Sequence, residues 1–404
     1  MTRSDVMILG GGLIGLALAS ALDASGLRSI VVDPVDPASW RDAKFDGRTS
    51  AVSSSSRRML DTIGVGDHFP EAGCPIRTIR VADGLAPGSL TFEPPQGDNE
   101  PLGWMHENRH LRAALKARAE AGANIELRWN SRAAGIERGE HGVTVRLGDG
   151  SELAAPLLAV AEGRNSPTRE EAGIAVAKWD YRHRAIITVL THAKPHEGVA
   201  WEIFYPAGPF ALLPMLDKPD GSHRSALVWT VNERDAAGVL ALSDRAFIAE
   251  VEKRMHGLYG AIAVDGPRSS YPLGFHHTAK ITAQRLALVG DAGHGLHPIA
   301  GQGLNVGLRD VGALVEVIVE GKRLGLDPAD AQLLTRYERW RGLDTFMVAL
   351  ATDGLTRLFG IPGRIPSTIR RLGMGVVQRT PGLKSWFMDE ARGASGQLPE
   401  LLRG

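Results

Sequence analysis

Apolar positions along the chain fall first into short runs ending in glycine turns and then into short segments separated by Pro, Gly, Asp and His, and the change between them divides the sequence. Val6 to Leu9 is an unbroken apolar run, followed by Gly10-Gly11-Gly12-Leu13-Ile14-Gly15 and a helix-like stretch, Leu16 to Leu22; a second run, Ile30 to Val32, ends in Asp33. Two later runs repeat the theme: Leu157 to Ala161 stops at Glu162-Gly163, and Arg285 to Val289 stops at Gly290-Asp291. Runs of four or five apolar residues bounded by turn formers predict strands buried on both faces. After Asp291 a glycine-rich loop leads into Leu304, Val306, Leu308, Val311 and Leu314, which predict a helix. From Lys178 to Val231 the pattern changes to short segments, Ala185 to Leu190, Val199 to Tyr205, Phe210 to Leu213 and Ser225 to Val231, separated by Pro, Gly, Asp and His. These predict an antiparallel sheet. A helix is expected over Arg245 to Met255 and a further strand over Ser270 to Leu273. In the last 70 residues Leu343, Phe346, Met347, Leu350, Leu355, Leu358 and Phe359 recur at helical spacing.

The N-terminal order of strand, glycine turn, helix, strand and acid matches a dinucleotide-binding βαβ unit. In such a unit Gly10 makes the tight turn, Gly12 admits a pyrophosphate, Gly15 lets helix and strand pack, and Asp33 accepts bonds from a ribose hydroxyl. The motif alone serves NAD or FAD equally. Its place in the chain favours FAD, because the second glycine-rich loop stands far downstream and a nicotinamide dehydrogenase completes its site within one contiguous domain. The late loop offers close backbone approach and a helix start with free N–H donors.

The segment His297-Pro298-Ile299-Ala300-Gly301-Gln302-Gly303-Leu304-Asn305-Val306-Gly307 with Asp310 resembles the signature of the aromatic-hydroxylase-like FAD monooxygenases, and within them the ubiquinone-biosynthesis hydroxylases. Phe45-Asp46-Gly47-Arg48-Thr49-Ser50-Ala51 is similar to that family's early arginine-bearing loop, and Glu107-Asn108-Arg109 with Leu111 and Leu115 to its flavin-contacting helix. One departure stands out: where relatives carry Asp-Gly in the middle motif, this chain has Glu162. The resemblance implies an α/β fold, a Rossmann-like FAD-binding domain of the para-hydroxybenzoate-hydroxylase type with an inserted antiparallel-sheet substrate domain and C-terminal helices. The FAD-binding domain is expected in three parts, 1–74, 101–177 and 276–335, with substrate-domain segments at 75–100 and 178–275 and C-terminal helices at 336–404.

The implied activity is hydroxylation of the aromatic ring of a polyprenylated ubiquinone precursor, by way of a hydroperoxide at the flavin C4a carbon. Two other classes are weighed: the same chemistry on a small soluble phenol or other natural-product ring, and a non-catalytic flavoprotein or assembly subunit. The FAD-binding residues expected are Gly10, Gly12, Leu13, Ile14, Gly15, Asp33, Arg48, Arg109, Gly290, Asp291, Pro298, Gly301, Gln302, Gly303, Leu304 and Asn305. Asp291 would accept a hydrogen bond from a ribityl hydroxyl. The N–H groups near Gly301 to Leu304 would stabilise negative charge at the flavin N1–C2=O edge, and Asn305 would add a contact there. Arg48 and Arg109 could clamp phosphate or ribose oxygens, or form surface salt bridges instead. His297 and Pro298 are the catalytic candidates, His297 as a base and Pro298 as the residue that stiffens the loop. His294 is equally suited to a structural hydrogen bond, and His276 and His277 are expected in a turn.

Composition sets bounds. The 46 basic and 46 acidic residues cancel, so no global field favours nucleic acid. Cys74 is the sole cysteine, which excludes an intrachain disulfide, and no metal-type cluster is present. The N-terminus enters its first strand at once and no run of 18 apolar residues exists, so the expectation is a cytoplasmic protein without a spanning helix. Arg357, Arg364, Arg370, Arg371, Arg379 and Lys384, interleaved with apolar residues such as Trp386, could form a solvated helix face or rest peripherally on the inner face of a membrane; association with a biosynthetic complex is also open. The reductant, NAD(P)H or a protein donor, and the oligomeric state leave no motif.

Overall fold

The computed structural model describes residues 4–41, 47–84, 89–95, 97–295, 301–342, 344–345 and 374–404. Its central sheet runs in the order Thr282–Ala283, Leu286–Leu288, Leu157–Val160, Val6–Leu9, Ser29–Val32, Ile125–Arg128. All neighbours are parallel except the first pair. Val6–Leu9, Ser29–Val32 and Leu157–Val160 are buried at every residue, which is why they read as apolar runs without alternation. The strand order reverses on either side of Val6–Leu9, and the Gly10–Gly12 turn leaves its carboxyl end at that switch point, where open α/β sheets bind ligands.

The inserted sheet is larger than the short segments suggested. It runs His294–Gly295, Ser269–Thr278, Val176–His192, His223–Asn232, Gly208–Met215, Val199–Tyr205, Thr78–Asp83, Leu90–Phe92. Its spine is the 17-residue strand Val176–His192, which pairs antiparallel with His223–Asn232 along one side and Ser269–Thr278 along the other. Thr78–Asp83 joins in parallel to Val199–Tyr205, so residues from the 75–100 segment extend the same sheet. The expected helix is found as Asp244–Met255, with the Ser243 hydroxyl accepting from the Ala246 N–H. His276 and His277 are not turn residues. They form the end of the strand Ser269–Thr278 and pair with His294–Gly295, because the long central strand carries its partner beyond the apolar run that marks it in sequence.

A small sheet of Thr49–Ser53, Gly103–Glu107 and Cys74–Ile76 lies between these bodies. A meander of Ala133–Arg138, Val143–Leu147 and Glu152–Ala155 precedes the strand Leu157–Val160 and was not anticipated; Val143, Val145 and Leu147 are its buried positions. The apolar positions from Leu343 to Phe359 and the basic positions from Arg357 to Arg371 lie outside the described residues. The helix Pro381–Ala391 carries Lys384 and Trp386.

Candidate functional site

The N-terminal turn is shaped by contacts that leave no room for a side chain. Gly10 has φ +104°, and a Cβ there would stand 2.4 Å from the Ala161 carbonyl oxygen, so only glycine lets the first and third strands come this close. A Cβ on Gly15 would meet the Gly10 oxygen at 1.8 Å. At Gly12, by contrast, a Cβ would meet nothing within 4 Å. Gly12 caps the helix Leu13–Ala24 without any side-chain hydrogen bond, leaving first-turn N–H groups open to an anion. Asp33 holds the turn: its carboxylate accepts the Gly11 N–H at 2.5 Å and the Val35 N–H at 2.7 Å.

The late turn lies against the early one. Gly290 (φ +63°) is in contact range of the Ile14 side chain, and Gly307 packs between Ile14 and Gly290. Ile14 therefore acts through packing, joining the first turn of Leu13–Ala24 to the strand end at Gly290 and to the helix Gln302–Arg323. That helix also starts without a side-chain cap, at Gly301. Leu13, half-buried, packs on the central core.

Beneath the late turn sits a buried ionic cluster. The Asp310 carboxylate accepts from the Gly290 N–H at 2.9 Å, from His294 Nε2 at 2.5 Å and from Arg341 Nε at 2.7 Å. Arg341 also pairs with Asp344, as does Arg309. Burial opposes charge on His294, yet Asp310 overrides it and holds the imidazole above its ordinary value; burial likewise opposes the Asp310 carboxylate, and His294 and Arg341 hold it below the ordinary range. His294 is thus a structural partner of Asp310. His276 Nε2 bonds to the Asp291 carbonyl oxygen at 2.8 Å. Turn and strand together fix Asp291, whose carboxylate makes no side-chain hydrogen bond among the described residues and lies on a cavity wall. Burial raises its pKa, outweighing Arg164 and His294.

The cavity has a volume of about 1200 Å³. At one end are Arg48, Arg164, Asp291 and the residues Gly301, Gln302, Gly303, Leu304 and Asn305. The inserted sheet forms an apolar wall. At the far end Phe92, Val377, Phe387 and Trp386 line it, and Trp386 is 44% exposed, so the apolar passage reaches the surface.

Several expected residues take other partners. The Asn305 amide donates to the Ala51 oxygen at 3.0 Å and accepts from the Ser53 N–H at 2.9 Å, so its side chain ties the helix start to the strand Thr49–Ser53, and the residue also lines the cavity. Arg109 is on the surface, its Nε 2.6 Å from Glu107, and is not on the cavity wall. Arg48 is exposed at the cavity, and its carbonyl oxygen accepts the Asn108 N–H. His297 and Pro298 lie outside the described residues. Glu162, the departure from the family pattern, accepts from Ser166 Oγ at 2.6 Å and from the Thr168 hydroxyl and N–H; it so braces Ser166, which caps the short helix Pro167–Glu171. Arg164 was missed, although it follows the third strand at the same sheet edge as the two glycine turns. Arg341 had no signal, being 31 residues from Asp310.

Two uncapped helix starts, an open Gly12 and an unpartnered Asp291 carboxylate fit a long cofactor with an anionic middle and hydroxyls beyond it, as FAD has. Comparison with known proteins agrees. Residues 3–343 match the FAD binding domain family. The chain is 42% identical to a ubiquinone hydroxylase, UbiL, of Rhodospirillum rubrum, over 99% of this chain and 93% of that protein. It is 31% identical to the 3-demethoxyubiquinol 3-hydroxylase of Escherichia coli, over 96% and 98%. The crystal structure of p-nitrophenol 4-monooxygenase from Pseudomonas putida superposes with a TM-score of 0.78 at 17% identity, covering 98% of this chain and 100% of that one, which establishes the shared fold.

Proposed function

Because the chain belongs to the FAD-binding family of flavoprotein monooxygenases, we propose that it hydroxylates the aromatic ring of a polyprenylated ubiquinone precursor. The observation that supports the substrate class is the cavity. A small phenol calls for a closed, polar-ended site, whereas here the cavity that holds the cofactor residues is also lined by the apolar sheet face and by Phe387 and the exposed Trp386, a surface suited to a prenyl tail.

Bound FAD, once reduced, supplies the activation of dioxygen. The chain's own residues do the rest. The first turn of Leu13–Ala24 would bind the pyrophosphate through N–H groups at Gly12 to Ile14, and Arg48, on the cavity wall, would add its guanidinium to phosphate or ribose. Asp291, held by the Gly290 turn and His276, accepts a ribityl hydroxyl. The start of Gln302–Arg323, free of a side-chain cap, would offer N–H groups and the positive end of its helix dipole to negative charge on the flavin ring. The apolar sheet wall excludes water and orients the substrate ring.

The reductant is NAD(P)H or a protein donor. No helix among the described residues is long and apolar enough to cross a membrane. Val376, Leu383 and Trp386 are exposed beside the cavity mouth, with Arg379 and Lys384 nearby in sequence; this supports peripheral docking on an anionic membrane from which a lipid-soluble precursor enters. Deletion in the host followed by mass analysis of quinone intermediates tests the reading. A species lacking one ring oxygen should accumulate, and unchanged quinone content refutes it.

A further inference from the structure

One carboxyl on the cavity wall has no role in binding the cofactor. Glu202 stands on the strand Val199–Tyr205, whose alternate residues Ala200, Glu202 and Phe204 line the cavity. Its cross-strand neighbours are Val81 and Ala211, and Ala211 is followed by Val228 on the next strand. A carboxyl is thus set into an apolar sheet face, with no hydrogen bond or ion pair to another residue among the described residues. The other charged groups on the cavity wall are Arg48, Arg164 and Asp291 at the cofactor end and Glu390 from the helix Pro381–Ala391, and Glu390 is engaged by Ser395. None of them offsets the burial of Glu202, which alone sets its pKa, pushed up to about 8. An unpaired carboxyl in such a place costs stability, and a prenyl tail offers it nothing. The one polar part of the substrate proposed above is its oxygenated ring.

Resting on that reading, we propose that Glu202 recognises the ring hydroxyl of the aromatic head group, accepting its hydrogen bond and so orienting the ring within the cavity. The carboxylate form accepts from a phenol but offers nothing to the corresponding methyl ether. The protonated form donates to either oxygen. Preference for the phenol therefore grows as Glu202 ionises.

The test uses the full-length, FAD-loaded protein, an ortho-monoprenylated phenol and its methyl ether, with binding read by quenching of tryptophan fluorescence, Trp386 lining the same cavity. Measurements at about pH 6.5 and about pH 9 fall on either side of the titration, and a hydrogen bond to a charged group predicts a preference of roughly tenfold or more at the higher pH, shrinking to about twofold at the lower. Glu202→Gln, whose amide both donates and accepts, should show a small preference that does not change with pH. A wild-type preference independent of pH, or one that keeps its pH dependence in Glu202→Gln, overturns the assignment and leaves the proposed substrate class standing. The wild-type series is decisive without the variant. Failure of the wild type to bind either compound at either pH overturns both.

Discussion

Replacing Asp310 by Ala tests whether the buried ionic cluster or the glycine turn above it does more to build the cofactor site. Arg341 is fully buried and Asp310 is 1% exposed, so solvent screens neither. Removing one partner of a buried pair costs about 3–5 kcal/mol, and part of that is retained here because Asp344 still holds Arg341; about 4 kcal/mol is a fair value once the orphaned Gly290 N–H is included. With an unfolding entropy of about 2.1 cal/mol/K per residue, this lowers the Tm of a 404-residue cooperative unit by about 5 °C. The pH dependence carries a second signature. His294 has a folded pKa above its ordinary 6.5, so the stability it contributes is complete below that value and is lost as pH rises through the folded pKa. Asp310 has a lowered folded pKa, so its contribution is present above 3.8 and is lost only as pH falls through the folded value. Scanning fluorimetry of the FAD-free protein across pH should show wild-type Tm declining on the alkaline side and the variant lower but flatter there. An Asp310→Ala protein with unchanged Tm and an unchanged alkaline decline refutes the argument.

Three further outcomes follow from the same geometry. Asp291→Ala should lose FAD affinity by tenfold or more, on the order of one charge-assisted hydrogen bond, while FAD-free Tm holds or rises because a buried unpaired carboxylate is gone; equilibrium dialysis with unchanged FAD binding would remove Asp291 from the site. Gly12→Ala should fold normally, its Cβ meeting nothing, yet bind FAD more weakly, whereas Gly15→Ala should give little soluble protein; comparable yields and FAD titrations for the two would contradict the packing described. Glu162→Asp should cost about 0.5–1.5 kcal/mol through weakened hydrogen bonds to Ser166 and Thr168, read as a lower denaturation midpoint, with FAD affinity unchanged; a change in FAD affinity alone would return Glu162 to the cofactor site.

What could be read in the sequence was whatever a local pattern encodes. Val6 to Leu9 with Gly10, Gly12 and Gly15 specified strand, turn and helix because their constraints lie within a few residues of one another. The strands Val199–Tyr205 and Gly208–Met215 were visible as short apolar segments between turn formers. Two things were not. The length of Val176–His192 is set by pairing on both sides, which lets polar residues such as Lys178 and Arg184 stay in a strand that composition would end. The fate of Asn305 depends on Ala51 and Ser53, more than 250 residues away, and no motif carries such a partner. Glu202 did leave a signal, a carboxyl at an inward position of an otherwise apolar segment, which only gains meaning once that face is known to line a cavity.

The treatment of buried acids separates scaffold from site. Asp33 is held by two backbone N–H groups, Glu107 by Arg109 and Arg224, and Asp310 by three donors. Each of these closes its own desolvation cost within the protein, and each fixes a turn or a strand end. Asp291 and Glu202 do not, and both sit on the wall of one cavity with their pKa values raised by burial. Among the described residues the structural carboxylates are paired, and the two without a partner share the wall of one cavity, where a bound ligand can reach both. Their positions divide the proposed ligands between them: Asp291 follows the glycine turn that Ile14 locks to the N-terminal helix, the place proposed for the cofactor, while Glu202 stands on the inserted sheet, the wall proposed for the substrate.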